Sequence, residues 1–91
     1  MAKSLHCIVS GKVQGVFFRS WIFDQANNLG LTGWVRNIGD GKVEVLAQGS
    51  DENMQIFKDH LVQGSPLSRV DNLEANWTDY DKEYPDFQIR G

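Results

Sequence analysis

Residues Gly11 to Arg19, Gly-Lys-Val-Gln-Gly-Val-Phe-Phe-Arg, are the first whose types and spacing suggest chemistry. An apolar strand-like run, Leu5 to Val9, leads into them, and a helical pattern from about Phe18 leads out. A glycine-bracketed loop between a strand end and a helix start can hold an anion on exposed backbone N–H groups and the positive end of the helix dipole. Gly11 and Gly15 permit left-handed conformations that turn neighbouring amides into one concavity. Arg19, in the first helical turn, adds a planar set of donors suited to phosphate. The same pattern also makes an ordinary structural joint, and an arginine in a first turn is often only solvated. The loop lacks the Gly-Lys-Ser/Thr of a nucleotide P-loop and the three-glycine dinucleotide fingerprint, so those two readings fall away.

The elements that would position this loop follow from the pattern of apolar residues. Leu5 to Ser10 reads as strand one, with Leu5, Cys7 and Val9 alternating with His6, Ile8 and Ser10. Phe18, Ile22, Ala26 and Leu29 mark one face of a helix that Gly30 ends as its C′ residue. Leu31 to Ile38 reads as strand two, Gly39-Asp40-Gly41 as a hairpin turn and Lys42 to Gln48 as strand three. On strand three, Val43, Val45 and Ala47 share one face and Glu44, Leu46 and Gln48 the other. Ser50 is a good N-cap, with Asp51 and Glu52 as helix-start charges. Met54, Phe57 and Leu61 then form the apolar stripe of a second helix, which ends near Gly64 before Pro66. Leu73, Ala75 and Trp77 alternate with Glu74, Asn76 and Thr78 as strand four. Asp79 to Asp86 reads as a polar connection, and Phe87 and Ile89 as a short final strand.

This order predicts an α+β fold: a ferredoxin-like βαββαβ sandwich with a mostly antiparallel sheet and two helices on one face. Strands one and two should run parallel without necessarily touching. The loop after strand one would then open at the sheet edge that strand two also reaches.

The 91 residues imply one domain, residues 1–91. With 41% apolar and 23% charged residues the composition is that of a soluble globule. No apolar run is long enough to span a bilayer and no signal-peptide pattern opens the chain, so a cytoplasmic location and no membrane partner are expected. The single cysteine, Cys7, lies inside an apolar strand and reads as a small core residue rather than a nucleophile. The formal charge of −3 argues against nucleic acid as a partner, so attraction of an anion must be local. No His/Cys spacing suits zinc and no carboxylate cluster suits magnesium, so no metal and no cofactor are expected. His6 and His60 read as structural or surface residues.

Two segments together carry a resemblance. Gly11 to Arg19 resembles the acylphosphatase signature Gly-x-Val-Gln-Gly-Val-x-Phe-Arg. Gly33-Trp34-Val35-Arg36-Asn37, followed by Asp40-Gly41-Lys42-Val43-Glu44, resembles that family's Gly-Trp-Val-x-Asn and the hairpin after it. The Gly-Ser-Pro after the second helix and the closing Phe-x-Ile-Arg are also similar. The likeness spans nearly the whole chain, in order. It implies a small bacterial-type acylphosphatase that hydrolyses the carboxyl-phosphate bond of acyl phosphates, with inorganic phosphate as product and inhibitor. The family arginine falls on Arg19, held to bind the phosphoryl group, and the family asparagine on Asn37, held to orient the attacking water. Gln14, Gly15, Val16, Phe17 and Phe18 would supply backbone N–H donors.

The residue chemistry is consistent with that implication. A carboxylate leaving group has a conjugate-acid pKa of about 4, so it departs without a general acid. Phosphoryl transfer then asks mainly for positioning and charge stabilisation, which amides and a guanidinium supply. The Asn37 carboxamide can accept a hydrogen bond from water but is too weak a base to take its proton. On its own, Asn37 reads rather as an ordinary strand-end residue bonded to a turn, and the family resemblance is what reverses that reading. Lys12 and Arg36 could add local positive potential or simply be solvated. Trp34, Trp77 and Phe87 read as core or sheet-face packing rather than a stacking platform.

Two other functions compete. The same topology serves RNA recognition motifs, but Lys42 to Gln48 holds no aromatic residue. In carbamoyl-transfer maturation proteins related to the family, a similar domain is one part of a long chain with zinc-binding cysteines. Here the chain ends at Gly91 with one cysteine, so a free-standing monomeric enzyme is the expectation.

Overall fold

The computed structural model describes residues 2–90. Five strands and two helices follow in the order β1 (Ala2–Lys12), α1 (Phe18–Asn28), β2 (Thr32–Asn37), β3 (Val43–Gln48), α2 (Asp51–Gln63), β4 (Arg69–Tyr80) and β5 (Phe87–Arg90). They form one sheet ordered β4-β1-β3-β2-β5. The pairs β1–β4, β1–β3 and β2–β3 are antiparallel, and only β2–β5 is parallel. Strands β1 and β2 thus run parallel with β3 between them. This is the ferredoxin-like α+β arrangement that the order of apolar patterns predicts.

Alternation decides which sheet face the helices cover. Leu5, Cys7 and Val9 of β1 and Val43, Val45 and Ala47 of β3 are buried in one cluster with Phe18, Ile22 and Ala26 of α1 and Met54, Phe57 and Leu61 of α2. Both helices therefore pack on the same side. Helix α1 ends in a Schellman turn, in which the Leu31 amide donates to the Ala26 carbonyl at 2.9 Å and the Gly30 amide to that of Asn27 at 3.1 Å. Helix α2 starts at Ser50, whose hydroxyl accepts from the Asn53 amide at 3.1 Å.

Two expectations are corrected by tertiary pairing. First, β1 runs on through Gly11 and Lys12, which pair with Val70 and Arg69 after a bulge at Ser10/Gly11. Gly11 is therefore not a loop residue. Its glycine is needed because a Cβ there would meet the Arg69 carbonyl. Second, β4 extends over Asp79 and Tyr80, so the polar connection begins only at Asp81. These strand ends carry polar residues that no alternation marks, and pairing with β1 supplies the order. On the outer face of β3, Leu46 and Gln48 are buried alongside Trp34, the cross-strand neighbour of Leu46. The returning segment before β5 covers this region. Gln48 donates to the Lys82 carbonyl at 2.8 Å and accepts from the Tyr84 amide at 3.0 Å. Trp77, by contrast, is partly exposed at the β4 edge, with the Lys3 ammonium 5.2 Å from its ring.

A short ionic chain crosses the outer face. Glu44 meets His6 Nε2 at 2.7 Å and Arg36 Nε at 2.6 Å. Burial opposes ionisation of Glu44, but the hydrogen bonds to His6 and Arg36 outweigh it and hold its carboxyl below the usual carboxylate range. A carboxyl whose folded pKa is depressed contributes stability that is present above its unfolded pKa, about 4.3, and lost as pH falls through the folded value. Urea unfolding should therefore show wild type losing stability between about pH 5 and pH 3 more steeply than Glu44→Gln. Equal slopes would contradict the assignment.

Gly33 tests the packing of β2. Its φ is 136°, and a Cβ there would drive into the Leu46 carbonyl. Gly33→Ala should cost about 2–3 kcal/mol in denaturant unfolding, within the range of buried backbone clashes. Gly39→Ala, with open space around it, should shift the midpoint little.

Candidate active site

The loop between β1 and α1 is shaped by what its ends can bury. Val13 is buried at one end and Phe18 at the other, while Phe17 between them is 79% exposed. Gly15 has φ 71°, and Phe17 has φ 59° and ψ 25°. Left-handed residues at alternate positions turn successive amides toward one side, the geometry of an anion-binding nest. For a non-glycine such as Phe17 this conformation costs about 1–2 kcal/mol, a strain that clusters at functional sites. Phe17 is also the N-cap of α1, and its side chain provides no cap. The first helical bond runs from the Trp21 amide to the Phe17 carbonyl at 3.1 Å. The amides of Phe18, Arg19 and Ser20 are thus left without helical acceptors, and the first turn holds no acidic side chain. The helix presents a bare positive end.

Neighbouring elements fix the loop in place. The Gln14 side chain donates to the Ile38 carbonyl at 3.0 Å and to the Lys42 carbonyl at 2.8 Å. It ties the loop to both legs of the β2–β3 hairpin, just past Asn37. Arg19 Nη1 donates to the Arg90 carbonyl at 2.9 Å, so the guanidinium is braced against β5. The Arg90 guanidinium itself lies 5.0 Å from the Trp34 ring and 5.6 Å from that of Tyr84, which anchors this end of the strand.

These ties bring Arg19 and Asn37 to one cavity of about 290 Å³. Gly15, Phe17 and Phe18 line it as well, whereas Gln14 and Val16 do not. Gln14 is occupied in the hairpin tie, and Val16 turns toward the helix side, against the core cluster. Three lining residues escape the sequence reading: Val13, Ser20 and Ile89. Ser20 could have been found from its place in the first helical turn. Ile89 comes from a strand whose position no local pattern reveals.

The cavity has a definite polarity. Among the described residues lining it, Arg19 is the one ionisable side chain, so their side-chain charge is positive despite the chain's net −3. Asn37 Oδ1 is buried and has no hydrogen-bond partner among the described residues. A buried carbonyl oxygen left unpaired is costly, and a water donating to it would remove that cost. Arg36 is spent on Glu44 and Trp34 at the outer face, and Lys12 lies in β1, outside the lining. Cys7 sits in the core, where burial pushes its thiol up to about 12, so it stays protonated. No three His, Cys, Asp or Glu residues among those described are grouped to hold a metal ion. No helix of the structure is long and apolar enough to cross a membrane.

Comparison with known proteins finds relatives along nearly the whole chain. The acylphosphatase family model matches residues 5–89. An acylphosphatase of Pelotomaculum thermopropionicum is 46% identical over 84 residues, which cover 92% of this chain and 91% of that protein. The crystal structure of acylphosphatase from Bacillus subtilis superposes with a TM-score of 0.93 at 35% identity, covering 98% of this chain and 99% of that one. Full-length HypF, solved in a phosphate- and nucleotide-bound form, superposes with a TM-score of 0.83 at 26% identity, but this chain covers only 12% of it. A family match spanning both motifs, with relatives alike over nearly their whole length, leaves one conclusion: this chain belongs to the acylphosphatase family.

Proposed function

We propose that this protein is a metal-independent acylphosphatase, which hydrolyses acyl phosphates to a carboxylate and inorganic phosphate. The observation that carries the reading is the shared cavity, where Arg19 and Asn37 face one space beside the uncapped start of α1. The loop amides and the Arg19 guanidinium grip the phosphoryl oxygens. Charge spread over three equatorial oxygens is what such a donor ring stabilises. Gln14 serves that cradle through its side-chain tie, and Val16 through the backbone turn it occupies between Gly15 and Phe17.

Asn37 Oδ1 accepts a hydrogen bond from the attacking water and aims its lone pair at phosphorus. The new P–O bond forms as the P–O bond to the acyl group breaks, and the electron pair leaves on the carboxylate oxygen. The water proton passes to a phosphate oxygen, since no carboxylate or imidazole side chain among the described residues lines the cavity to receive it. Positive charge comes from the chain itself, so the scheme calls for neither metal nor cofactor. Inorganic phosphate, the product, occupies the same cradle and inhibits. The residue span shared with the Pelotomaculum relative supports a single acylphosphatase domain over residues 1–91, and a cytoplasmic monomer is proposed alongside it.

Steady-state kinetics with benzoyl phosphate test these roles. Arg19→Ala should lower kcat/KM by roughly a thousandfold and relieve inhibition by phosphate, the scale of losing a charge-stabilising donor. Asn37→Ala should lower kcat by roughly a hundredfold or more while leaving the phosphate inhibition constant within about threefold. Full activity in both variants would overturn the assignment. Excess EDTA should leave the wild-type rate unchanged, and a metal-dependent rate would contradict the scheme.

A further inference from the structure

Among the described residues lining the active-site cavity, three carry polar side chains: Arg19, Asn37 and Ser20. The first two have a part in the proposed reaction, and Ser20 has none. Its hydroxyl has no hydrogen-bond partner among the described residues. It does not cap the helix either, since the N-cap is Phe17 and no side chain bonds there. Ser20 sits on the face of α1 turned away from the sheet. Phe18, Ile22 and Ala26 form the buried face, and Ser20 lies two residues past Phe18, about 200° around the axis. Asp24 and Asn27, which share that outer face, are exposed as Ser20 is. In a helix each Cα–Cβ bond tilts toward the N-terminus. The Ser20 side chain therefore leans toward the end of α1 where the free amides stand.

We infer that Ser20 Oγ donates a hydrogen bond to the departing acyl oxygen, which makes Ser20 a third catalytic side chain. The inference rests on the proposed acylphosphatase reading. Displacement at phosphorus is in line, so the leaving group departs opposite the attacking water. The water is assigned to Asn37, which ends β2 and so belongs to the sheet side of the cavity. The acyl oxygen then leaves on the side away from the sheet, where Ser20 stands. As the P–O bond to the acyl group breaks, its electron pair collects on that oxygen. A donor aimed there gains most of its strength in the transition state. No proton is transferred, because a carboxylate is a weak enough base to leave as the anion. Ser20 keeps its hydrogen throughout. The loop amides and Arg19 hold the oxygens that stay on phosphorus, and Ser20 holds the one that departs.

The test is the leaving-group dependence of the rate, measured with benzoyl phosphates bearing para substituents from nitro to methoxy. Ser20→Ala should lower kcat on benzoyl phosphate about tenfold, the scale of one lost hydrogen bond to a charged oxygen. The loss should be about twofold or more larger on the para-methoxy compound, whose leaving oxygen is more basic, than on the para-nitro compound. A substitution that only loosened the helix would slow every substrate alike. The inhibition constant of inorganic phosphate should stay within about twofold, since phosphate carries no acyl oxygen. Ser20→Thr, which keeps the hydroxyl, should hold both the rate and its dependence on the substituent near wild type. Unchanged kinetics in Ser20→Ala, an equal loss on every compound, or a weakening of phosphate inhibition that matches the fall in rate would overturn the role of Ser20. If wild type hydrolysed none of these compounds, or Arg19→Ala kept full rate on them, the acylphosphatase reading would fail instead, and the role of Ser20 with it.

Discussion

Three peptide amides at the start of α1 have no acceptor within the helix, and the surrounding structure is arranged to keep it so. Most helices settle this end with a serine, threonine or aspartate. Here the N-cap is a phenylalanine held in a left-handed turn, which offers no side-chain oxygen and costs about 1–2 kcal/mol besides. Helix α2 of the same chain shows the ordinary solution, with Ser50 capping and two acidic residues in its first turn. The contrast between the two helices is physical. One end is neutralised internally, and the other is left as a positive, hydrogen-bond-donating surface facing a cavity.

That surface exists only because long-range ties hold it. The Gln14 amide spans the loop and both legs of the hairpin, and the Arg90 carbonyl fixes the angle of the Arg19 guanidinium. Arg90 is in turn seated on Trp34 and Tyr84 at the outer face. A strand of four residues at the edge of the sheet thus helps set the geometry of a site whose main loop lies some seventy residues earlier in the chain. Pre-paid positioning of this kind is what phosphoryl transfer without a general acid or base would need.

Charge is partitioned along the same lines. The chain is acidic as a whole, yet no carboxylate side chain among the described residues lines the cavity. Glu44 is drawn to the outer face by His6 and Arg36, away from Arg19. Arg36 also spends its charge there, so Arg19 stands alone as the cation of the site. An anion near the loop meets a local field opposite in sign to that of the whole protein.

The sequence by itself determined the order and type of the elements, because burying one face of each strand and helix forces a period of two or near 3.6 in apolar residues. Leu5, Cys7 and Val9 mark β1 in this way, and Phe18, Ile22 and Ala26 mark α1. It also singled out the glycine-bracketed loop, Arg19 and Asn37, through motifs long enough to be specific in combination. The strand ends escaped it: Gly11–Lys12 and Asp79–Tyr80 are ordered by pairing across the sheet, and a pairing partner leaves no trace in local alternation. Only the tertiary structure decided that Gln14 is a tie rather than a lining residue, that Ile89 and Ser20 face the cavity, and that Phe17 separates a polar cavity from an apolar one. Those facts depend on which distant segments meet. Contacts between residues far apart in the chain arise from the packing of whole elements, and no stretch of residues encodes them alone.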